Sequence, residues 1–267
     1  TEVNLAATDQ MLDSPSNNFC TFNPLANGEI DAIINSQAGR CAISEGNLRT
    51  RMTSIGSFKT YVTLMPTSGY WYWEMRIDTL AESTRAMYGV GEFEKMEIST
   101  DGQNDQSYQM GVGTSRRLQA YGNEFDNTFS VAAAEDVWSF AVDWEGAASK
   151  FWYRKNGGDW EGSGDPADGS SPTKTFNKVQ ANSSMCVYHA LASGSTSNVS
   201  QITHNFGQDS SFSGAINASA NTDDKGRGQF KYAPPAGYLS LCTANLPEPD
   251  VIPSEHFDTV LYTGNAT

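Results

Sequence analysis

The sequence predicts an all-β protein: a two-sheet antiparallel β-sandwich with extended arms at both ends. Three observations carry this. In Trp138-Ser-Phe-Ala-Val-Asp-Trp144 the side chains of Trp138, Phe140, Val142 and Trp144 recur at every second position, the period of a strand with one apolar face. Hydrophobic content is 38%, charged content 18%, and 24 glycines are spread through the chain. No window shows an apolar stripe of helical period, a balance that favours sheets joined by polar turns. Finally, strand-like runs follow one another at 47–53, 58–65, 70–78, 85–92, 107–113 and 117–121, and a length of 267 residues is ample to bury a core.

Residues 1–44 read as a polar N-terminal arm. Asp13-Ser-Pro-Ser-Asn-Asn-Phe-Cys-Thr-Phe-Asn-Pro24 favours turns and extended chain, with Phe19, Phe22 and Leu25 as anchors. The sandwich is assigned to 45–242. In Tyr70-Trp-Tyr-Trp-Glu-Met-Arg-Ile77, alternation puts Tyr70, Tyr72, Glu74 and Arg76 on one face and Trp71, Trp73, Met75 and Ile77 on the other, the better core face. Met110-Gly-Val-Gly113 and Tyr121-Gly122 are glycine-punctuated, as where a curved sheet bends.

The strand at 138–144 is followed by a short loop and a second strand, in which Phe151 and Tyr153 point one way and Trp152 and Arg154 the other. Asn156-Gly-Gly-Asp159 then supplies residues that tolerate positive φ and reverses the chain. Residues 161–182 read as a Gly/Ser/Asp/Pro loop, and 185–192 and 199–206 as further strands. The second ends in Asn205-Phe-Gly-Gln208, which a polar insert, Ser210 to Gly228, separates from Gln229-Phe-Lys-Tyr-Ala-Pro-Pro-Ala-Gly-Tyr238. Residues 243–267, with Pro247, Pro249 and Pro253, form a C-terminal linker or arm. The absence of an initial Met and the abrupt end lead us to expect a piece of a longer polypeptide.

Several of these strings resemble one family. "Ala-Val-Asp", a short loop and "Phe-Trp-Tyr-x-x-Asn-Gly" resemble the core hairpin of SPRY domains, and "Gly-x-Trp-Tyr-Trp-Glu" resembles their early strand. Ser163-Gly-Asp-Pro-Ala-x-Gly169, Asn205-Phe-Gly-Gln208 and Gln229–Tyr238 are similar to SPRY units of bacteriophage structural proteins, and the string around Asp13–Leu25 resembles segments that precede them. In that family the last two pieces usually run together, so the insert is a departure. The resemblance implies a concanavalin-like jelly roll of SPRY type and a phage virion structural protein, such as a tail fibre or other surface appendage. It implies a non-enzymatic module that binds through loops at one end of the sandwich, located on the virion surface.

Composition narrows the partners. With 17 basic against 31 acidic residues the net charge is −14, which repels nucleic acid, and no stretch has the apolar length of a membrane span. Cys20, Cys41, Cys186 and Cys242 fit no zinc pattern and read as buried thiols. Cys186 and His189 fall on opposite faces of a strand, and His204 reads as a packed residue. Asp101, Asn104 and Asp105, or Asp223 and Asp224, read as polar loops, because neither set has an EF-hand spacing. No phosphate or dinucleotide fingerprint occurs, so neither a metal nor a cofactor is expected.

Glu29 and Asp31 begin a glycosidase-like string, but Ile33 and Ile34 stand where its second Glu belongs. No catalysis is therefore expected, and Glu92/Glu94 and Asp143/Glu145 read as structural or solvated pairs. Candidate binding residues are Tyr108, Arg116, Arg117, Tyr121 and Trp160: aromatics stack on sugar or peptide faces and Arg grips carboxylates. The expected partners are a host surface glycan or protein and neighbouring virion subunits in a homo-oligomer. Those neighbours are expected to hold the arms, because ordering polar chain costs about 1–2 kcal/mol per residue in backbone entropy.

Overall fold

The computed structural model describes residues 12–14, 16–26, 41–53, 56–80, 85–95, 107–112, 118–120, 123–126, 133–178, 180–193 and 199–247. Among the described residues fourteen strands form two sheets. The first runs β1 (Cys41–Ser44), β2 (Arg49–Thr53), β13 (Val199–Asn205), β4 (Tyr70–Thr79), β9 (Val137–Asp143), β10 (Ala148–Lys155), β11 (Lys174–Asn177), with β14 (Leu239–Ser240) parallel to β4. The second runs β3 (Gly56–Tyr61), β12 (Met185–Ser193), β5 (Arg85–Glu92), β6 (Ser107–Val112), β7 (Leu118–Ala120), β8 (Asn123–Asp126). Every pairing along these two orders is antiparallel. The fold is the all-β sandwich that the alternation predicts.

Residues of period two fill the space between the sheets. Trp71, Trp73, Met75 and Ile77 of β4, Trp138, Phe140 and Val142 of β9, and Phe151 and Tyr153 of β10 all belong to one buried cluster. Trp73 stacks on Phe140 at 5.3 Å and Phe140 on Phe151 at 5.9 Å, because register places Trp73 opposite Phe140 and Val142 opposite Phe151. His189 crosses the core as a polar tie. Its Nδ1 lies 2.6 Å from the Thr50 hydroxyl of the first sheet, and its Nε2 lies 2.6 Å from Tyr88 of the second. Burial lowers His189 well below its ordinary value and His204 to about 3, so both rings are neutral. A neutral ring has one N–H and one acceptor nitrogen, which suits it to two hydroxyls.

The opposite face of β4 is also buried, which period two alone does not disclose. Tyr72, Ala141 and Trp152 form a second apolar cluster with Phe230 and Tyr238, two residues supplied by the chain that follows Asn205. This C-terminal lid contains the insert Ser210–Gly228, and Phe212 within it is fully buried. Asp209 organises its start, accepting from the Ser211 N–H at 2.8 Å, the Ser211 hydroxyl at 2.6 Å and the Ser213 N–H at 2.6 Å.

Four strands fall where the sequence reading placed none: β1 within the arm, β8, β11 within the 161–182 loop, and β14. Each has at most four residues, too few to display a period. Part of the N-terminal arm is held by the chain itself. Phe19, Cys20 and Phe22 are buried, the Cys20 N–H donates to Leu241 O at 2.8 Å, and the Thr63 N–H donates to Thr21 O at 2.8 Å. Leu25, by contrast, is 78% exposed and anchors nothing. Glu29 and Asp31 lie outside the described residues. Cys20, Cys186 and Cys242 are buried thiols.

Trp138→Ala or Phe140→Ala removes a ring from the middle of the inter-sheet cluster and is expected to destabilise the fold by about 3–5 kcal/mol. Urea unfolding measures this, and a loss under about 1 kcal/mol would contradict the assigned face.

Candidate functional site, an outer cleft walled by the lid

The lid is tied down through two buried carboxylates. Glu74, fully buried on the outer face of β4, accepts from the Tyr232 N–H and the Tyr72 hydroxyl at Oε1, 2.8 and 2.9 Å, and from the Lys231 N–H and Asn205 Nδ2 at Oε2, 2.8 and 3.2 Å. Burial raises its carboxyl from 4.5 to about 7, while the donors of Lys231, Tyr232, Tyr72 and Asn205 act to lower it. The Tyr72 hydroxyl is also 3.2 Å from Tyr232 O. It can donate to the charged carboxylate, or turn to that carbonyl when Glu74 holds the proton, so both states are satisfied. Asp223 accepts from the Ser240 N–H and hydroxyl, the Lys225 and Arg227 N–H groups and Asn245 Nδ2. Its burial acts to raise the carboxyl, and those donors outweigh burial and hold it below the ordinary value.

The Asn205-Phe-Gly-Gln208 string is the junction of these parts. Asn205 Oδ1 caps the Gly207 and Asp209 N–H groups, and Asn205 Nδ2 donates to Gln229 O and Glu74. Gln208 Nε2 reaches Cys20 O at 2.8 Å. Gly207 has φ +126, and a Cβ there would lie 2.5 Å from the Phe19 ring, so glycine is required on both counts. At the far end of the hairpin, Gly157 is equally constrained, since its Cβ would stand 2.4 Å from Tyr232 of the lid.

Where the lid meets the loop after β10, a cleft of about 320 Å³ opens. Register builds its floor. Tyr70 of β4 is opposite Asp143 of β9, which is opposite Lys150 of β10, and alternation turns all three outward. One wall is Pro166–Gly169, the other Ala236–Tyr238. Lys150 Nζ lies 3.6 Å from Asp143 Oδ2, and Tyr70, 42% exposed, meets Tyr238 edge-on at 5.6 Å.

Both walls are pinned to the sheet. The Trp152 indole N–H donates to Ser170 O at 3.0 Å, and β14 pairs with β4 next to Tyr70, Leu239 opposite Trp71. Ser170 donates to Asp168 and holds its carboxyl below the ordinary value. A group so held is ionised at neutral pH and unsuited to general-acid work.

Of the candidate residues named from the sequence, Tyr108 and Trp160 fall among the described residues. Tyr108 lies on β6 in the second sheet, opposite Val90 and Ala120. Trp160 sits at the lid's edge on the first sheet, half-buried, with the Arg154 guanidinium 4.5 Å over its ring. One face of the ring is thereby covered. Arg116, Arg117 and Tyr121 lie outside the described residues, as do Asp101, Asn104 and Asp105. Glu92 accepts from the Ser183 hydroxyl at 2.6 Å and Glu94 from the Ser184 hydroxyl at 2.6 Å, both structural tasks. The sequence reading missed the cleft. Its one signal is that Tyr70 and Asp143 stand on the outward phase of their strands.

No protein-family model and no curated protein sequence matches the chain. Among solved structures it is similar to the SPRY domain of human HERC1, with 16% identity and a TM-score of 0.47 over 68% of this chain and 96% of that one. It is also similar to the TRIM65 PSpry domain, at 12% identity and TM-score 0.43 over 70% and 89%. A third is a Lotus tetragonolobus seed lectin, at 6% identity and TM-score 0.40 over 72% and 94%. The two-sheet assignment rests on the strand pairing itself.

Glu74→Gln turns one acceptor into a donor that faces donors, and is expected to cost about 1–3 kcal/mol. Because the folded carboxyl titrates at about 7, above its unfolded value, the stability that Glu74 supplies is full below about pH 4.5 and is lost as pH rises through 7. The glutamine does not titrate. Its cost therefore grows as pH falls from about 7 to about 4.5, by up to about 1.4 kcal/mol per pH unit. Paired urea titrations across that range measure it, and a cost that shrinks on acidification would contradict the assignment. The depressed histidines act in the opposite sense in both proteins, so they cancel from the comparison.

Proposed function

We propose that this chain is a SPRY-type binding module of a bacteriophage virion, borne on a tail fibre or other surface appendage. It recognises a host surface glycan or protein without cleaving it. The observation that carries the reading is the pinned cleft: aromatic and charged side chains are set on a rigid sheet and walled by two fixed loops, a preformed site of the size that small ligands use. The strings that resemble phage SPRY units supply the context, since Phe19, Asn205–Gln208 and Gln229–Tyr238 meet at the lid that builds one wall. A virion-surface location, a homo-oligomeric state and contacts of the arms with neighbouring subunits belong to the same proposal. Nucleic acid is disfavoured as a partner by the net charge of −14.

Cleavage is disfavoured by the chemistry of the carboxylates. Glycoside hydrolysis needs an acid whose proton is retained near neutral pH, and Asp168 of the cleft is held below its ordinary value. The purified protein, incubated with bacterial envelope preparations, is expected to be retained reversibly on a subset of them and to release no reducing ends. Release of reducing ends that disappears in Glu29→Gln would contradict the non-enzymatic reading. Retention on none of the envelopes would contradict host binding and leave a structural or decoration subunit.

A further inference from the structure

Resting on that reading, we infer that the ligand of the cleft is a saccharide, one or two sugar residues deep, seated on the Tyr70–Asp143–Lys150 rung between the 166–169 and 236–238 loops. The chemistry of the rung suits this class. A pyranose presents an apolar C–H face and a rim of hydroxyls, each both donor and acceptor. Tyr70 offers an exposed ring that the C–H face can cover. Asp143 offers carboxylate oxygens to ligand hydroxyls, and Lys150, 3.6 Å from it, offers an ammonium on the same side. The pairing of opposite charges leaves the floor close to neutral, and the ionised Asp168 of the wall adds a negative charge that disfavours an anionic sugar.

A buried group without a partner stands at the same place. Tyr238 is 2% exposed and lines the cleft, and its hydroxyl has no hydrogen-bond partner among the described residues. A buried hydroxyl left unpaired is costly, and a ligand hydroxyl is the kind of group that relieves it. Size points the same way. At about 320 Å³ the cleft lies at the low end for ligand sites, room for a sugar end rather than for a protein surface. Gly237 in the wall has nothing within 4 Å of where a Cβ would stand, so its backbone faces open space beside the tyrosines.

The test is saturation-transfer NMR on the purified chain with methyl glycosides of glucose, galactose, mannose, rhamnose and N-acetylglucosamine, followed by titration of whichever binds. Tyr70→Ala and Asp143→Asn are each expected to weaken that sugar at least tenfold. Thr79→Ala, at the other end of β4, is expected to leave it within twofold. A thermal midpoint for each variant reports whether it folds, and Asp143→Asn keeps the proposal testable should Tyr70→Ala unfold. Binding of no sugar, or sugar binding that Tyr70→Ala and Asp143→Asn leave unchanged, overturns the assignment. Retention on envelopes measured beside it separates the two levels. A protein retained on envelopes with no sugar in its cleft loses this inference and keeps its role as a binding module, whereas a protein retained on none loses both.

Discussion

A carboxylate with four donors around it holds the outer half of this protein in place. Glu74 lies on the solvent-side phase of a central strand, where a charged residue ordinarily meets water. Here the chain after Asn205 folds back over it and brings the Lys231 and Tyr232 N–H groups to its oxygens. Without those bonds the carboxylate would be buried unpaired, a state that costs several kcal/mol. Without the carboxylate, two backbone donors under the lid would be orphaned. Each side of the contact requires the other, and the apolar cluster of Tyr72, Trp152, Phe230 and Tyr238 closes around it.

The architecture is therefore layered: second sheet, inter-sheet core, first sheet, outer core, lid. The inner core is built by alternation along long strands and needs no special residues. The outer layer depends on single ones: Gly207 against Phe19, Asn205 with both ends of its amide engaged, Asp209 and Asp223 capping turns. The proposed function rests on the outer layer. The cleft exists because the lid stops short of the rung at Tyr70, Asp143 and Lys150, and its walls are rigid because β14 and the Trp152 indole pin them.

What the sequence disclosed followed from period. Trp138, Phe140 and Val142, or Trp71, Trp73 and Met75, announce an inner face because aromatics at every second position have no other explanation. The string Asn205–Gln208 stood out as a motif, yet its job as a junction required knowing that Phe19 and Gln229 come to it from both ends of the chain. Tyr72 and Glu74 were legible only as an outward face, since the lid that buries them is non-local and largely polar in composition. The cleft was hidden for the same reason: Asp143 and Lys150 lie seven positions apart, and only strand register sets them beside Tyr70. Trp160 read as an exposed aromatic because nothing local reveals the Arg154 guanidinium over its ring.

The central claim is that the lid is part of the cooperative fold and not an appended loop. Native-state hydrogen exchange of the Lys231 and Tyr232 amides, the two that donate to Glu74, tests it most directly. The account predicts that both exchange only through global unfolding, with protection equal to that of the β4 and β9 amides. Exchange of these two amides at a markedly lower opening free energy than the sheet would show a lid that lifts independently, and the fixed cleft wall would fall with it.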